Sequence, residues 1–184
     1  MNEILFTQTD IRNHYEKTSS LINKKFINEE LVIICVLNGG FMYFSDLVKN
    51  IDKNITLYLD FIKAKSYDSN TNTQTDNIKL DIDLKINIKG RNIIIVDDII
   101  DSGKTMKSII NSLNKLEPKE IYVCPLLIID NADVHEFNLI GGIKSSSNYF
   151  VAGYGLDNSE QDRHLPYIYV VKDVTEEDSS SFYV

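Results

Sequence analysis

Three aspartates, Asp97, Asp98 and Asp101, lie in a segment that otherwise has the pattern of a phosphate-binding loop. The segment NIIIVDDIIDSGKTMKSI (92–109) predicts a buried apolar strand, a turn that ends in Gly-Lys-Thr, and a helix. The first turn of a helix has free backbone N–H groups that bind anions. Because carboxylates repel an anion, a ligand of this loop needs a second kind of group for them to bind.

Two simpler explanations account for only part of the loop. A nucleoside-triphosphate P-loop has a glycine five residues before the glycine of its Gly-Lys-Thr ending, and position 98 is Asp. A plain helix start with Asp101 or Ser102 as N-cap explains one acid. It does not explain why Asp97 and Asp98 are adjacent at the end of a buried strand, where burying a charge is costly.

A ligand that carries both a phosphate and a sugar diol fits every part of the loop. Backbone N–H groups of residues 102–105 would bind the phosphate at the helix N-terminus. Asp97 and Asp98 would accept hydrogen bonds from the vicinal hydroxyls or hold a divalent cation. Asp101 is then free for proton transfer.

The elements that position this loop follow from the hydrophobic pattern. Strands are predicted at 31–37, 55–67, 92–98, 121–129, 149–156 and 167–171, and helices at 10–26, with Asp10 as N-cap, 41–51 and 104–116. This alternation predicts an α/β domain with a mainly parallel sheet. Ligands of such sheets bind beyond the carboxyl ends of the strands, where residues 38, 65–67 and 97–105 fall.

Three further segments of the chain have weaker patterns. DSNTNTQTDN (68–77) has no apolar side chain, which favours either a mobile surface loop or an active-site lid. A strand-like segment resumes at 78, and DVHEF (133–137) is compatible with one helical turn. Residues 175–184 form an acidic, Ser-rich tail that we expect to be frayed.

Composition narrows the class of protein. The 184 residues carry a formal net charge of −8, which disfavours a nucleic-acid partner because phosphate backbones require a positive surface. Cys35 and Cys124 lie inside apolar runs, as small buried residues do. The polar N-terminus and the lack of a long apolar run predict a cytoplasmic protein without membrane contact.

Four segments carry a resemblance to a known family: VLNGGF (36–41), LDFIKAKSY (59–67), VDDIIDSGKTM (96–106) and YFVAGYGLDNSEQDRHLPYI (149–168). Together they resemble the hypoxanthine-guanine phosphoribosyltransferase family of the type I phosphoribosyltransferases. The resemblance implies a pentosyltransferase of purine salvage that joins hypoxanthine or guanine to phosphoribosyl pyrophosphate (PRPP). The products would be IMP or GMP and pyrophosphate, and the reaction would use Mg²⁺.

The resemblance also implies a fold and an assembly. Residues 1–174 would form one phosphoribosyltransferase domain, with a mobile lid at about 66–78 and a small hood built from the N-terminus and residues 140–170. The protein would be a homodimer or homotetramer.

Site residues carry over position by position. Asp101 would be catalytic, moving the proton near N7 of the base. The remaining expected contacts are the 5′-phosphate with Asp101, Ser102, Gly103, Lys104 and Thr105; the ribose with Asp97 and Asp98; pyrophosphate with Asn38, Gly39 and Arg163; the purine with Phe150, Val151, Asp157 and Ile129; Mg²⁺ with Asp157, Asp97 and Asp98; and the lid with Lys65, Ser66 and Tyr67.

Two positions depart from the family pattern. Asn38 stands where many members have Lys or Arg, after a peptide bond that is commonly cis in the family. Ile129 stands where a lysine usually donates to O6 of the purine, and Lys144 could reach in instead. Adenine or another purine is therefore an alternative substrate, and a non-catalytic nucleotide sensor is a second alternative.

Overall fold

A computed structural model describes residues 3–63, 82–146 and 149–171. In chain order the elements are β1 (Glu3–Phe6), α1 (Gln8–Phe26), β2 (Glu30–Leu37), α2 (Phe41–Val48), β3 (Thr56–Lys63), β4 (Asn92–Ile100), α3 (Lys104–Asn114), β5 (Glu120–Ile129), β6 (Ile143–Ser145), β7 (Phe150–Ala152) and β8 (Ile168–Val171).

Five strands form a parallel sheet in the order β3-β2-β4-β5-β6. The central strands β2, β4 and β5 are almost continuously apolar because both faces of the sheet are covered. On one face the core contains side chains of α1 and α2, and on the other it contains side chains of α3. The predicted α/β class with a mainly parallel sheet is confirmed.

A second, three-stranded antiparallel sheet has the order β1-β8-β7. β1 and β6 were not predicted; their strand conformation depends on pairing with β8 and β5. The predicted strand at 149–156 is wrong beyond Ala152. Gly153 (φ +98°) and Gly155 (φ +105°) turn the backbone into the left-handed region, which a strand cannot follow.

The helix starts and ends differ in detail from the prediction. Asp10 is not the N-cap of α1. Thr7 is the N-cap, its Oγ1 accepts from Asp10 N–H at 3.2 Å, and an Asp10 carboxylate oxygen accepts from Thr7 N–H at 2.9 Å. This reciprocal capping box satisfies two free N–H groups at once. The helices α2 and α3 end earlier than predicted, at Val48 and Asn114.

The segment after β3 is only partly described. Residues 82–90 form no strand, contrary to the pattern, and lie instead beside the buried carboxylate of Asp60, which accepts from the N–H groups of Lys85 and Ile86 at 2.8 and 3.0 Å. The predicted helical turn at 133–137 is a non-helical turn. The predicted lid and tail lie outside the described residues. None of the described helices is long and apolar enough to cross a membrane.

Candidate active site

The candidate site lies where β2 and β4 end and the chain turns into α2 and α3. The Leu37–Asn38 peptide bond is cis, as the family resemblance predicts. Asn38 is exposed, whereas Gly40 behind it is buried. A Cβ on Gly40 would press on the backbone of β2 and β4, so the turn packs directly on the strand ends.

Gly39 brings two other loops of the site together. A Cβ at Gly39 would overlap the carboxylate of Asp98, and a Cβ at Gly155 would overlap the carbonyl oxygen of Gly39. The turn after β2, the end of β4 and the loop after β7 therefore meet at one point. Glycine at 39 and 155 is required by this close approach of backbone and side chain.

Asp97 and Asp98 are adjacent but differ in surroundings. Asp97 is only 8% exposed, and its carboxylate accepts the N–H of Asp98 at 3.0 Å. Burial raises the pKa of Asp97 well above its ordinary value, and the neighbouring Asp98 raises it further. Burial also raises the pKa of Asp98, but hydrogen bonds from Asp97 and the Ile99 N–H, together with Arg163, oppose that rise.

The loop from Asp101 to Thr105 presents the N-terminus of α3. Gly103 precedes the helix in the left-handed region (φ +80°), and a Cβ there would overlap the carbonyl oxygen of Asp133. No acidic residue lies in the first turn of α3, and Asp101, Ser102, Lys104 and Thr105 are exposed. The Lys104 N–H donates to Ser102 Oγ at 3.4 Å, and the positive end of the α3 dipole lies at this loop, as it does at helix N-termini that bind anions.

Arg163 connects the loop after β7 to the acidic strand end. Its Nη2 lies 2.9 Å from Oδ1 of Asp157, and its Nη1 donates to the carbonyl of Gly155 at 2.9 Å. Glu160 lies at 3.4 Å from Nη2. The guanidinium is also near enough to Asp98 to lower the pKa of that carboxyl against the effect of burial. A cation thus lies beside Asp157 and the carbonyl of Gly155, and close enough to Asp98 to act on its charge.

Three of the four predicted purine residues lie on β7 and at the end of β5, whereas the fourth, Asp157, pairs with Arg163. Phe150 and Val151 belong to β7, where Phe150 is half-buried and Val151 is buried. Ile129 ends β5 and is 5% exposed, so it offers an apolar surface and no hydrogen-bond donor.

The direction of the Lys144 side chain shows whether Lys144 could replace the lysine that is missing at Ile129. Lys144 is aligned with Ile128, and Ser145 with Ile129, so each pair shares a face of the sheet. Leu127 and Ile143 lie two residues before the second pair and pack in the same core as Val151. Ile128 is aligned with Ile100, which packs in the core beneath α3. Lys144 therefore lies on the face opposite Ile129 and does not replace the missing lysine there.

One polar pair near the site has no signal in the sequence. Tyr154 has a positive φ of 50° between two glycines, and its hydroxyl donates to Asp46 of α2 at 2.8 Å. Burial, followed by the bond to Asp46, raises the pKa of Tyr154. The Gly-Tyr-Gly pattern indicates a turn, but nothing in the sequence connects it to Asp46. The pair ties the loop after β7 to the helix that follows Gly39.

The donor set is compatible with magnesium bound together with a phosphate ligand. Within the described ranges, no group of three or more His, Cys, Asp or Glu side chains is arranged to hold a metal ion. Mg²⁺ usually binds through one or two carboxylates, several waters and substrate phosphates. Asp98 and Asp157, which both lie near Arg163, provide carboxylates of this kind.

Comparison with known proteins identifies the family. Residues 3–159 match the family model described as phosphoribosyl transferase domain. The chain is 33% identical to the hypoxanthine-guanine phosphoribosyltransferase of Staphylococcus aureus (strain Mu50) over 175 residues, 94% of each chain. It is 33% identical to the hypoxanthine phosphoribosyltransferase of Escherichia coli (strain K12) over 172 residues, 90% of this chain and 93% of the relative.

A solved structure agrees with these sequence matches. A crystal structure of a Bacillus anthracis hypoxanthine-guanine phosphoribosyltransferase superposes with a TM-score of 0.80 at 34% identity, covering 93% of this chain and 99% of the other. The fold and site thus define a phosphoribosyltransferase, a pentosyltransferase by class. The chain belongs to the hypoxanthine-guanine phosphoribosyltransferase family.

Proposed function

We propose that the protein transfers the 5-phosphoribosyl group of PRPP to hypoxanthine or guanine, which gives IMP or GMP and pyrophosphate. The convergence of Gly39, Asp98 and Arg163 at the end of β4, the strand that leads into α3, carries this proposal. One ligand with a phosphate, a sugar diol and a second phosphate group uses all of these elements. The names of the curated relatives support the same reaction.

Each part of the two substrates is assigned to residues of the site, starting with the loop that precedes α3. The N–H groups of residues 102–105 bind the 5′-phosphate at the start of α3. Asp97 and Asp98 accept from the ribose hydroxyls, and Gly39 with Arg163 binds pyrophosphate. The purine lies between Phe150 and the end of β5, with the backbone of Val151 along its edge. Lys65, Ser66 and Tyr67, outside the described residues, remain predicted as the start of the lid.

Two side chains act directly on the reacting atoms. As the C1′–O bond to pyrophosphate breaks and the bond from the base nitrogen to C1′ forms, Asp101 accepts the proton released from the base near N7. Arg163 stabilises the negative charge that develops on the departing pyrophosphate. Asp157 and Asp98 would hold Mg²⁺ together with PRPP, and the ion would supply further positive charge to the same leaving group.

Ile129 favours a second candidate substrate for the same reaction. An apolar side chain cannot donate to O6, so discrimination between 6-oxopurines and 6-aminopurines is weakened, and adenine becomes an alternative base. PRPP-dependent nucleotide formation should be measured with hypoxanthine, guanine, xanthine and adenine offered separately. A clear advantage for adenine would overturn the assignment of hypoxanthine and guanine.

A non-catalytic sensor of nucleotides is distinguished by Asp101→Asn. Asp101 is exposed, so the substitution should leave the fold intact. An enzyme loses most of its rate, on the order of 10²-fold or more for a general base, while PRPP binding persists. A protein that binds nucleotide but shows no turnover before the substitution is a sensor.

The assembly and the hood belong to the same proposal. The small sheet β1-β8-β7 forms the hood over the carboxyl ends of the large sheet, and the protein acts as a homodimer or homotetramer in the cytoplasm. Light scattering of the purified protein measures the oligomeric state directly, and a monomer would refute that part.

A further inference from the structure

The hydroxyl of Ser145 has no partner although it is buried. Ser145 is 5% exposed, and in the part of the chain that the structure describes its Oγ is the only buried side-chain oxygen or nitrogen without a hydrogen bond. A buried hydroxyl without a partner is destabilising, and native proteins rarely keep one without a reason. Its backbone, in contrast, is satisfied in part, because the carbonyl of Ser145 accepts from Asp130 N–H at 3.0 Å.

The register of the sheet gives this hydroxyl a place in the site. Ser145 is aligned with Ile129 across the β5–β6 pair, so both side chains lie on one face. Ile143, two residues before Ser145, packs against the core that contains Val151 and is flanked by Tyr149. Ser145 is therefore the polar side chain aligned with Ile129. Ile129 stands at the position where a lysine usually donates to O6 of the purine.

We propose that the Ser145 hydroxyl recognises the 6-substituent of the purine, directly or through one bridging water molecule. The inference rests on the proposed function, because the purine must bind between Phe150 and the end of β5. A hydroxyl donates to a 6-oxo group and accepts from a 6-amino group equally well, whereas a lysine ammonium only donates. Ser145 beside Ile129 thus accepts both kinds of purine and discriminates between them weakly.

The variant Ser145→Ala tests this role with three bases. The KM values for hypoxanthine and adenine should rise roughly 3- to 10-fold, as expected for one neutral hydrogen bond. The inhibition constant of unsubstituted purine, which has no group at position 6, and the KM for PRPP should stay unchanged. The melting temperature should not fall, because no hydrogen bond within the protein is lost.

Ser19→Ala is the matched control. Ser19 is 3% exposed like Ser145, but its hydroxyl donates to the carbonyl of Glu16 inside α1 at 3.0 Å. This control should lower the melting temperature and leave all kinetic constants unchanged. Unchanged KM values for hypoxanthine and adenine in Ser145→Ala would overturn the inference. An equal rise in the inhibition constant of unsubstituted purine would overturn it as well. Absence of turnover with every base in the unsubstituted protein would overturn the proposed function itself, and this inference with it.

Discussion

The Cα of Gly39 lies directly against the carboxylate of Asp98, so that any Cβ at position 39 would occupy the space of that carboxylate. The two residues come from different strand ends, β2 and β4, which are neighbours in the sheet. The contact couples the proposed pyrophosphate turn to the proposed ribose ligand. A substitution at either residue should therefore shift the position of the other.

Gly39→Ala should lower kcat/KM for PRPP on the order of 100-fold. The new methyl group must displace the Asp98 carboxylate by an ångström or more, and misplacement of that size in a reacting site has an effect of this order. Steady-state kinetics with PRPP varied at saturating base measure the effect. Gly90→Ala is the control, since a Cβ there meets nothing within 4 Å although φ is +72°. That variant should be less stable by about 1 kcal/mol and fully active. Activity of Gly39→Ala within two-fold of the parent would contradict the proposed role of the contact.

Arg163→Gln should lower kcat on the order of 100-fold, as the loss of a charged donor to a leaving group does. The substitution also removes the guanidinium from Asp157 and from the carbonyl of Gly155. Arg91→Gln is a matched control, because its side chain is 28% exposed, close to the 27% of Arg163, and pairs with Glu30 far from these loops. Single-turnover rates should fall in the first variant only. Equal rates in the two variants would show that Arg163 does not act on pyrophosphate.

Ile129→Lys should shift selectivity towards 6-oxopurines. A charged donor to O6 contributes roughly 10- to 100-fold in the ratio of kcat/KM for hypoxanthine over adenine, at some loss of stability because a lysine replaces a buried side chain. Lys144→Ala, on the opposite face of the sheet, should leave the ratio unchanged. A change of the ratio in Lys144→Ala would mean that Lys144 does reach the base.

The sequence predicts the parts of this site that are local in the chain. Long apolar runs indicate β2, β4 and β5, because strands buried on both faces need them. The loop from Asp97 to Thr105 could be interpreted because strand, turn and helix follow one another without interruption. The close approach of Gly39 to Asp98 depends on strand order, and no local pattern encodes it.

The same distinction explains what was missed or wrong. β1 and β6 form because partners on neighbouring strands complete them, β1 beside β8 and β6 beside β5. Asp46 contacts Tyr154 only because α2 packs beneath the loop after β7. The direction of Lys144 follows from the register of β6 on β5, which the sequence does not reveal.

Asp97→Asn should stabilise the protein while weakening PRPP binding. The pKa of Asp97 is raised in the folded state, chiefly by burial and then by Asp98. The folded protein therefore holds this proton to a higher pH than the unfolded chain, whose carboxyl titrates near 3.8. Stability is lost as pH rises from about 3.8 through the raised pKa. Asn has no charge to bury and can still accept the N–H of Asp98, so it avoids this loss.

The gain in melting temperature should accordingly be small at pH 4 and should grow with pH to a few degrees, on the order of 1 kcal/mol. Thermal unfolding of both proteins from pH 4 to pH 8 measures it. Asp101→Asn, at an exposed position, should follow the parent curve throughout. A lower melting temperature for Asp97→Asn at every pH would mean that the carboxylate is held by favourable contacts instead. In that case burial of the Asp97 carboxylate would not destabilise the folded protein.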